Sequence, residues 1–245
     1  MDFNLNPDPV MRSLHRILPG TALTALVLVL ATGLRAASAE QWLNHYYQKP
    51  APEQFSSAIV ELSESGYFEQ PGHVPLAIGF IASVFAQNPD RVNEWMDLNR
   101  SLPLAHQRIL AAALWYSGNP KGADYLRSFA REASPALRQE LLARIDSAPS
   151  VQSTAVLSAS SLNLQWGAFL ATGEKAPVEN ILAALGHNNS QLTQDVRWSL
   201  AQNAAQHQRV LAICRDELDR QPNAVRETLR AVINDTESRR QQPST

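Results

Sequence analysis

Proline in this chain falls almost entirely where a segment opens, and seldom inside one. The ring fixes φ and removes the N–H donor, so proline breaks a helix interior yet suits the first helical position. Asn88-Pro89, Asn119-Pro120 and Ser134-Pro135 each place a polar capping candidate just before such a proline. Pro52, Pro103, Pro177 and Pro222 open further segments. Gly66, Gly118, Gly173 and Gly186 stand where those segments would close, in the left-handed conformation that ends helices. With 15 prolines spent mostly this way, the stretches between them are left free to be helical.

Those stretches carry the 3.6-residue apolar period. Phe55, Ile59 and Leu62 make one stripe, and Ile78, Ile81, Ala82 and Phe85 another. Val92, Trp95 and Leu98 follow, then Ile109, Leu110 and Leu114, then Leu137, Leu141 and Ile145. The pattern resumes with Leu162, Trp166, Phe169 and Leu170, then Val178, Ile181, Leu182 and Leu185. Val196 and Leu200, Val210, Leu211 and Cys214, and finally Leu229 and Ile233 complete it. No window alternates apolar with polar, and no Asn-Gly or Asp-Gly hairpin signal occurs. The reading is an all-α chain of about eleven or twelve helices. Trp95, Trp115, Trp166 and Trp198 each lie in a stripe and are expected in the core.

Phe85-Ala86-Gln87-Asn88-Pro89 is echoed by Tyr116-Ser117-Gly118-Asn119-Pro120, and Leu114-Trp115-Tyr116-Ser117-Gly118 by Phe169-Leu170-Ala171-Thr172-Gly173. On these echoes, residues 76–235 resemble helical-repeat proteins of the tetratricopeptide or HEAT type. The Trp-Leu-Gly-Tyr pattern of true tetratricopeptide units is absent from these positions. The resemblance implies stacked antiparallel helix pairs, an irregular solenoid-like array, and a scaffold in place of an active site. A Ser-rich stretch near 147–161 reads as a loop within one domain over 40–235, and residues 236–245 as a disordered tail.

The first forty residues carry an address. Arg12, His15 and Arg16 precede the uncharged run Thr21–Leu34, which closes on Ala37-Ser38-Ala39. A basic region, an apolar region and small residues at −3 and −1 describe a signal peptide cut after Ala39, with an inner-membrane anchor as the alternative. Asp2 and Asp8 oppose such a role, so translation is expected to start at Met11. The mature chain would then lie in the periplasm or outside the cell, with no stable membrane insertion. Its one cysteine, Cys214, forms no internal disulfide, and its apolar run marks a buried, inert thiol.

Chemistry-bearing motifs are scarce. Glu64-Ser65 resembles the catalytic Glu-Ser pair of lytic transglycosylases, which implies wall-glycan cleavage with Glu64 as the acid; Gly72-His73-Val74-Pro75-Leu76 replaces that family's Gly-Leu-Met-Gln stretch. His45, His73, His106, His187 and His207 have no metal-ligand spacing, and no nucleophile elbow or phosphate loop occurs, so no metal or cofactor is expected. A net charge of −2 speaks against nucleic acid as a partner. Trp42 and Tyr46, four apart, offer one candidate contact face. Charge offers another: residues 40–98 are acidic in balance, whereas 99–144 hold Arg100, Arg108, Lys121, Arg127, Arg131, Arg138 and Arg144. Arg127, Arg131 and Arg138 are the expected docking residues for a partner protein. The sum is an exported, non-enzymatic interaction or scaffold protein; oligomeric state is left open.

Overall fold

The helix at His73–Gln87 is buried through most of its length, and two other helices pack on it most closely. The computed structural model describes residues 38–119, 122–132, 135–145 and 150–241. In chain order the helices are α1 (38–45), α2 (Phe55–Glu64), α3 (His73–Gln87), α4 (Val92–Leu98), α5 (Leu104–Tyr116) and α6 (Gly122–Glu132). They continue with α7 (Pro135–Arg144), α8 (Ala159–Thr172), α9 (Lys175–Ala183), α10 (Ser190–Gln206), α11 (Gln208–Glu217) and α12 (Asn223–Gln241). Short 3-10 turns join several of them, and no strand occurs among the described residues. The fold is all-α. Residues 1–37 of the signal segment, Lys121 and the first residues of the Ser-rich stretch lie outside the described residues.

Eight residues of α3 are buried, including consecutive Gly79, Phe80, Ile81, Ala82, Ser83, Val84 and Phe85. A helix covered all round, as opposed to along one stripe, belongs at the centre of a core. Its principal neighbours are α8 and α5. The α3–α8 crossing is backbone on backbone. A Cβ added to Gly79 would stand 1.9 Å from the carbonyl oxygen of Leu164, and one added to Gly167 would stand 1.9 Å from that of Leu76. Only glycine permits that approach. A solenoid in which each pair touches only its sequence neighbours is not confirmed, because this closest pairing joins segments far apart in the chain. The later helices join α3 chiefly through α8: α9 packs on α8, and α10 on α11 and α12.

The punctuation holds in part. Gly66, Gly118 and Gly173 adopt positive φ of 76°, 64° and 63°. Gly186 instead closes a 3-10 turn, Ala184–Gly186. Asn88 does not start α4; it ends α3, its side-chain amide donating to the Val84 carbonyl at 2.8 Å. Where the caps are described, side-chain N-caps are found at other residues. Asn189 accepts from the Leu192 N–H at 3.1 Å, and Ser158 and Ser161 form a reciprocal box at the start of α8.

The Ser-rich stretch is tied down where it is described. Val151 and Val156 are buried, and the Gln165 amide donates to the carbonyls of Val151 (2.8 Å) and Thr154 (2.6 Å). The expected tail is a correction: α12 continues to Gln241, with Thr236 buried and its hydroxyl donating to the Val232 carbonyl at 2.8 Å. The polar sequence after Asp235 is helical through Gln241, with Thr236 buried. The tryptophans divide. Trp95 stacks on Phe55 at 4.5 Å and is buried, as is Trp166; Trp115 is half-buried. Trp198 is 65% exposed, contrary to the core assignment, and Leu98 is exposed as well. Cys214 is buried, which pushes its thiol up to about 12.

One ion network sits below the surface. The Glu217 carboxylate is buried and receives Lys175 Nζ at 2.5 Å and Arg220 Nη1 at 2.6 Å, joining α9 to α11. The Lys175 hydrogen bond holds that carboxyl below its ordinary value, against the opposing effect of burial.

Candidate functional site

Helices α2 and α5 and the turn Tyr67–Glu69 meet around His106. The imidazole is buried, with 8% of the side chain exposed, and both ring nitrogens are engaged. Nδ1 lies 2.7 Å from Ser63 Oγ, and Nε2 lies 2.9 Å from Glu69 Oε1. In the neutral tautomer protonated on Nε2, that N–H donates to Glu69 and Nδ1 accepts from the Ser63 hydroxyl. Phe68 packs edge-on against the ring at 5.1 Å.

Beside this relay opens a cavity of about 350 Å3. Phe68, Val74, Ile78, Ala105 and Ile109 give it apolar walls, while Glu69, His106 and Arg108 supply polar atoms. The volume lies at the small end of ligand sites, and a mostly apolar lining with a few convergent polar groups is their usual make-up. Across Ile78 a second cavity of about 290 Å3 reaches Pro75, Tyr116, Leu164 and the serines at the start of α8.

Ser–His–Glu connectivity is that of a nucleophilic triad. The geometry argues for a different use. Ser63 does not line the cavity, which opens on the Glu69 end of the ring. Ser63 also occupies the last turn of α2, where the helix dipole opposes a developing oxyanion. The relay is a strut that fixes Glu69 and His106 against the cavity. Sequence reasoning did not single it out, because Ser63 and Glu69 stand 43 and 37 residues from His106, and no short motif joins them.

The residues singled out from sequence are scattered. Glu64 is exposed at the end of α2, without the enclosure an acid catalyst requires; the glutamate on the cavity is Glu69. Tyr46 is a correction: it is 2% exposed and, with Trp42, packs edge-on against Phe80 at 5.3 and 5.2 Å. The face those two rings share turns inward because it meets the apolar α3. Arg127 is exposed and paired with Asp124 at 2.9 Å. Arg131 is exposed. Arg138 donates through Nε to the Ala130 carbonyl at 2.9 Å and through Nη2 to that of Arg131 at 2.7 Å, capping the end of α6. That cap binds it to its own fold.

A different surface feature stands on α10. Trp198 and Arg197 line a groove of about 240 Å3 with Gln194, Ala201, Val232 and Asp235, where α10 meets α12. Among the described residues no helix is long and apolar enough to cross a membrane, and no three His, Cys, Asp or Glu side chains could together hold a metal ion. No family model matches the chain, and no curated protein or solved structure matches it.

Proposed function

We propose that this is an exported, non-enzymatic α-helical protein that works by binding another protein in the bacterial envelope or outside the cell. The observation that carries this reading is Trp198, a 65% exposed indole beside Arg197 on the α10–α12 groove. Tryptophan and arginine are the residues most enriched where interfaces concentrate their binding energy. Covering the ring would recover about 2 kcal/mol of apolar burial that folding leaves unused. The exposed Arg131, beside an Arg127 already paired with Asp124, adds positive charge that would steer an acidic partner. Export rests on residues 12–39. Ala39 sits in α1 at 2% exposure, so a cut after it must precede folding and removes one small side chain from the edge of the core.

The test is capture from envelope extract on the immobilised mature chain, in parallel with Trp198→Ala. The variant should lose a specific captured band while its thermal melting stays within the roughly 0.5 kcal/mol of a surface change. An identical capture pattern from both proteins refutes the assignment of the groove. N-terminal mass spectrometry of the protein from cells should begin at Glu40.

A further inference from the structure

The cavity beside His106 is lined by one acidic and one basic side chain, and it shares no residue with the α10–α12 groove. Its walls are apolar, with Phe68 and Ile109 buried and Val74 and Ile78 half-buried. Two opposite charges stand on it. Glu69 spends Oε1 on His106, and 59% of its side chain remains exposed, so its carboxylate keeps acceptor capacity. Arg108, exposed and two residues from His106 on the same helix, makes no hydrogen bond or ion pair among the described residues. A plain fatty acid would meet Arg108 favourably but Glu69 unfavourably, and a simple amine the reverse. A molecule that satisfies both carries an ammonium and a carboxylate on one end and an apolar group on the other.

We propose that this cavity binds a small apolar α-amino acid, its ammonium on Glu69, its carboxylate on the Arg108 guanidinium and its side chain against Phe68, Val74, Ile78 and Ile109. The strut Ser63–His106–Glu69 has a purpose here: it holds the carboxylate in place before the ligand arrives, so ordering it costs little on binding. The guanidinium fork matches a carboxylate through two parallel hydrogen bonds. No bond is made or broken.

Isothermal titration calorimetry of the whole protein tests this, with L-leucine and L-phenylalanine as probes. The comparison ligands are 4-methylpentanoate and 3-methylbutylamine, each leucine without one of its charges. The amino acids should bind, and each single-charge analogue should bind about tenfold or more weakly, the loss of one charge-assisted hydrogen-bonded contact. Arg108→Gln should abolish the preference for leucine over the amine, with an unchanged circular dichroism spectrum because the side chain is exposed. Ala105→Trp, which fills the cavity from its exposed edge, should abolish binding of all four. Absence of heat with either amino acid overturns the proposal, as does equal binding of 4-methylpentanoate, or leucine binding indifferent to Arg108→Gln and Ala105→Trp.

Discussion

His207 is packed where a charge is costly. Its ring is buried against Tyr47 and Phe169 at 5.7 and 6.0 Å, with His45 at 6.1 Å. Burial first, and the neighbouring His45 second, bring its pKa down to about 4 from 6.5. The unfolded chain therefore takes up this proton near pH 6.5, and the folded chain not until about 4. Stability from this group is complete above 6.5 and is lost as the pH falls through that window, by at most about 3 kcal/mol. Glu217 works in the same direction only once the pH drops below the ordinary glutamate value of 4.5. Urea unfolding at pH 7.5 and pH 5 should show His207→Phe losing less stability than the native chain between the two; equal losses would refute the assignment. Single residues were also where the sequence misled. Val196 and Leu200 share a buried face of α10, but Trp198, two residues from each, points about 200° away around the helix. The apolar residues two positions to either side drew it into the stripe, whereas its ring stands on the exposed side of the helix.

At the scale of the element, the helices were legible and their partners were not. Proline starts, glycine ends and 3.6-residue stripes need only local information, and α2, α3, α5, α8 and α10 follow from them. Which helix lies on which depends on contacts between residues remote in sequence. The α3–α8 crossing left one trace, glycine in the middle of two apolar helical runs, at Gly79 and Gly167. Those glycines yield a sharp prediction. Gly79→Ala should destabilise the protein by about 3 kcal/mol, and Gly167→Ala equally, because the added methyl meets backbone that cannot swing aside. Tm should fall by about 10 °C in either variant. Alanine favours helix over glycine by about 1 kcal/mol, so a tolerated or stabilising substitution would mean the two helices stand further apart than described.

At the scale of the molecule, the charge contrast between the two early segments suggested a docking surface, yet the structure spends part of the basic set on itself, most plainly Arg138 on the end of α6. The cavity at His106 was beyond reach of sequence because its lining comes from a turn, α3 and α5, with Ser63 of α2 behind the His106 ring, brought together only by the finished core. That core has a consequence in time. The surface of α3 is covered by α8, and Gly79 precedes Gly167 by 88 residues. A ribosome adding about 5–20 residues per second needs roughly 5–20 s to make that interval. For most of it the most apolar of the described helices is made but lacks its α8 cover, with α5 the only principal neighbour already synthesised. Nascent chains arrested before α8 should therefore crosslink to holding chaperones through α3, and release them once α8 has emerged. Crosslinking that is equally strong before and after α8 emerges would show that the helix finds cover elsewhere. The order of synthesis makes α3 a helix that must wait.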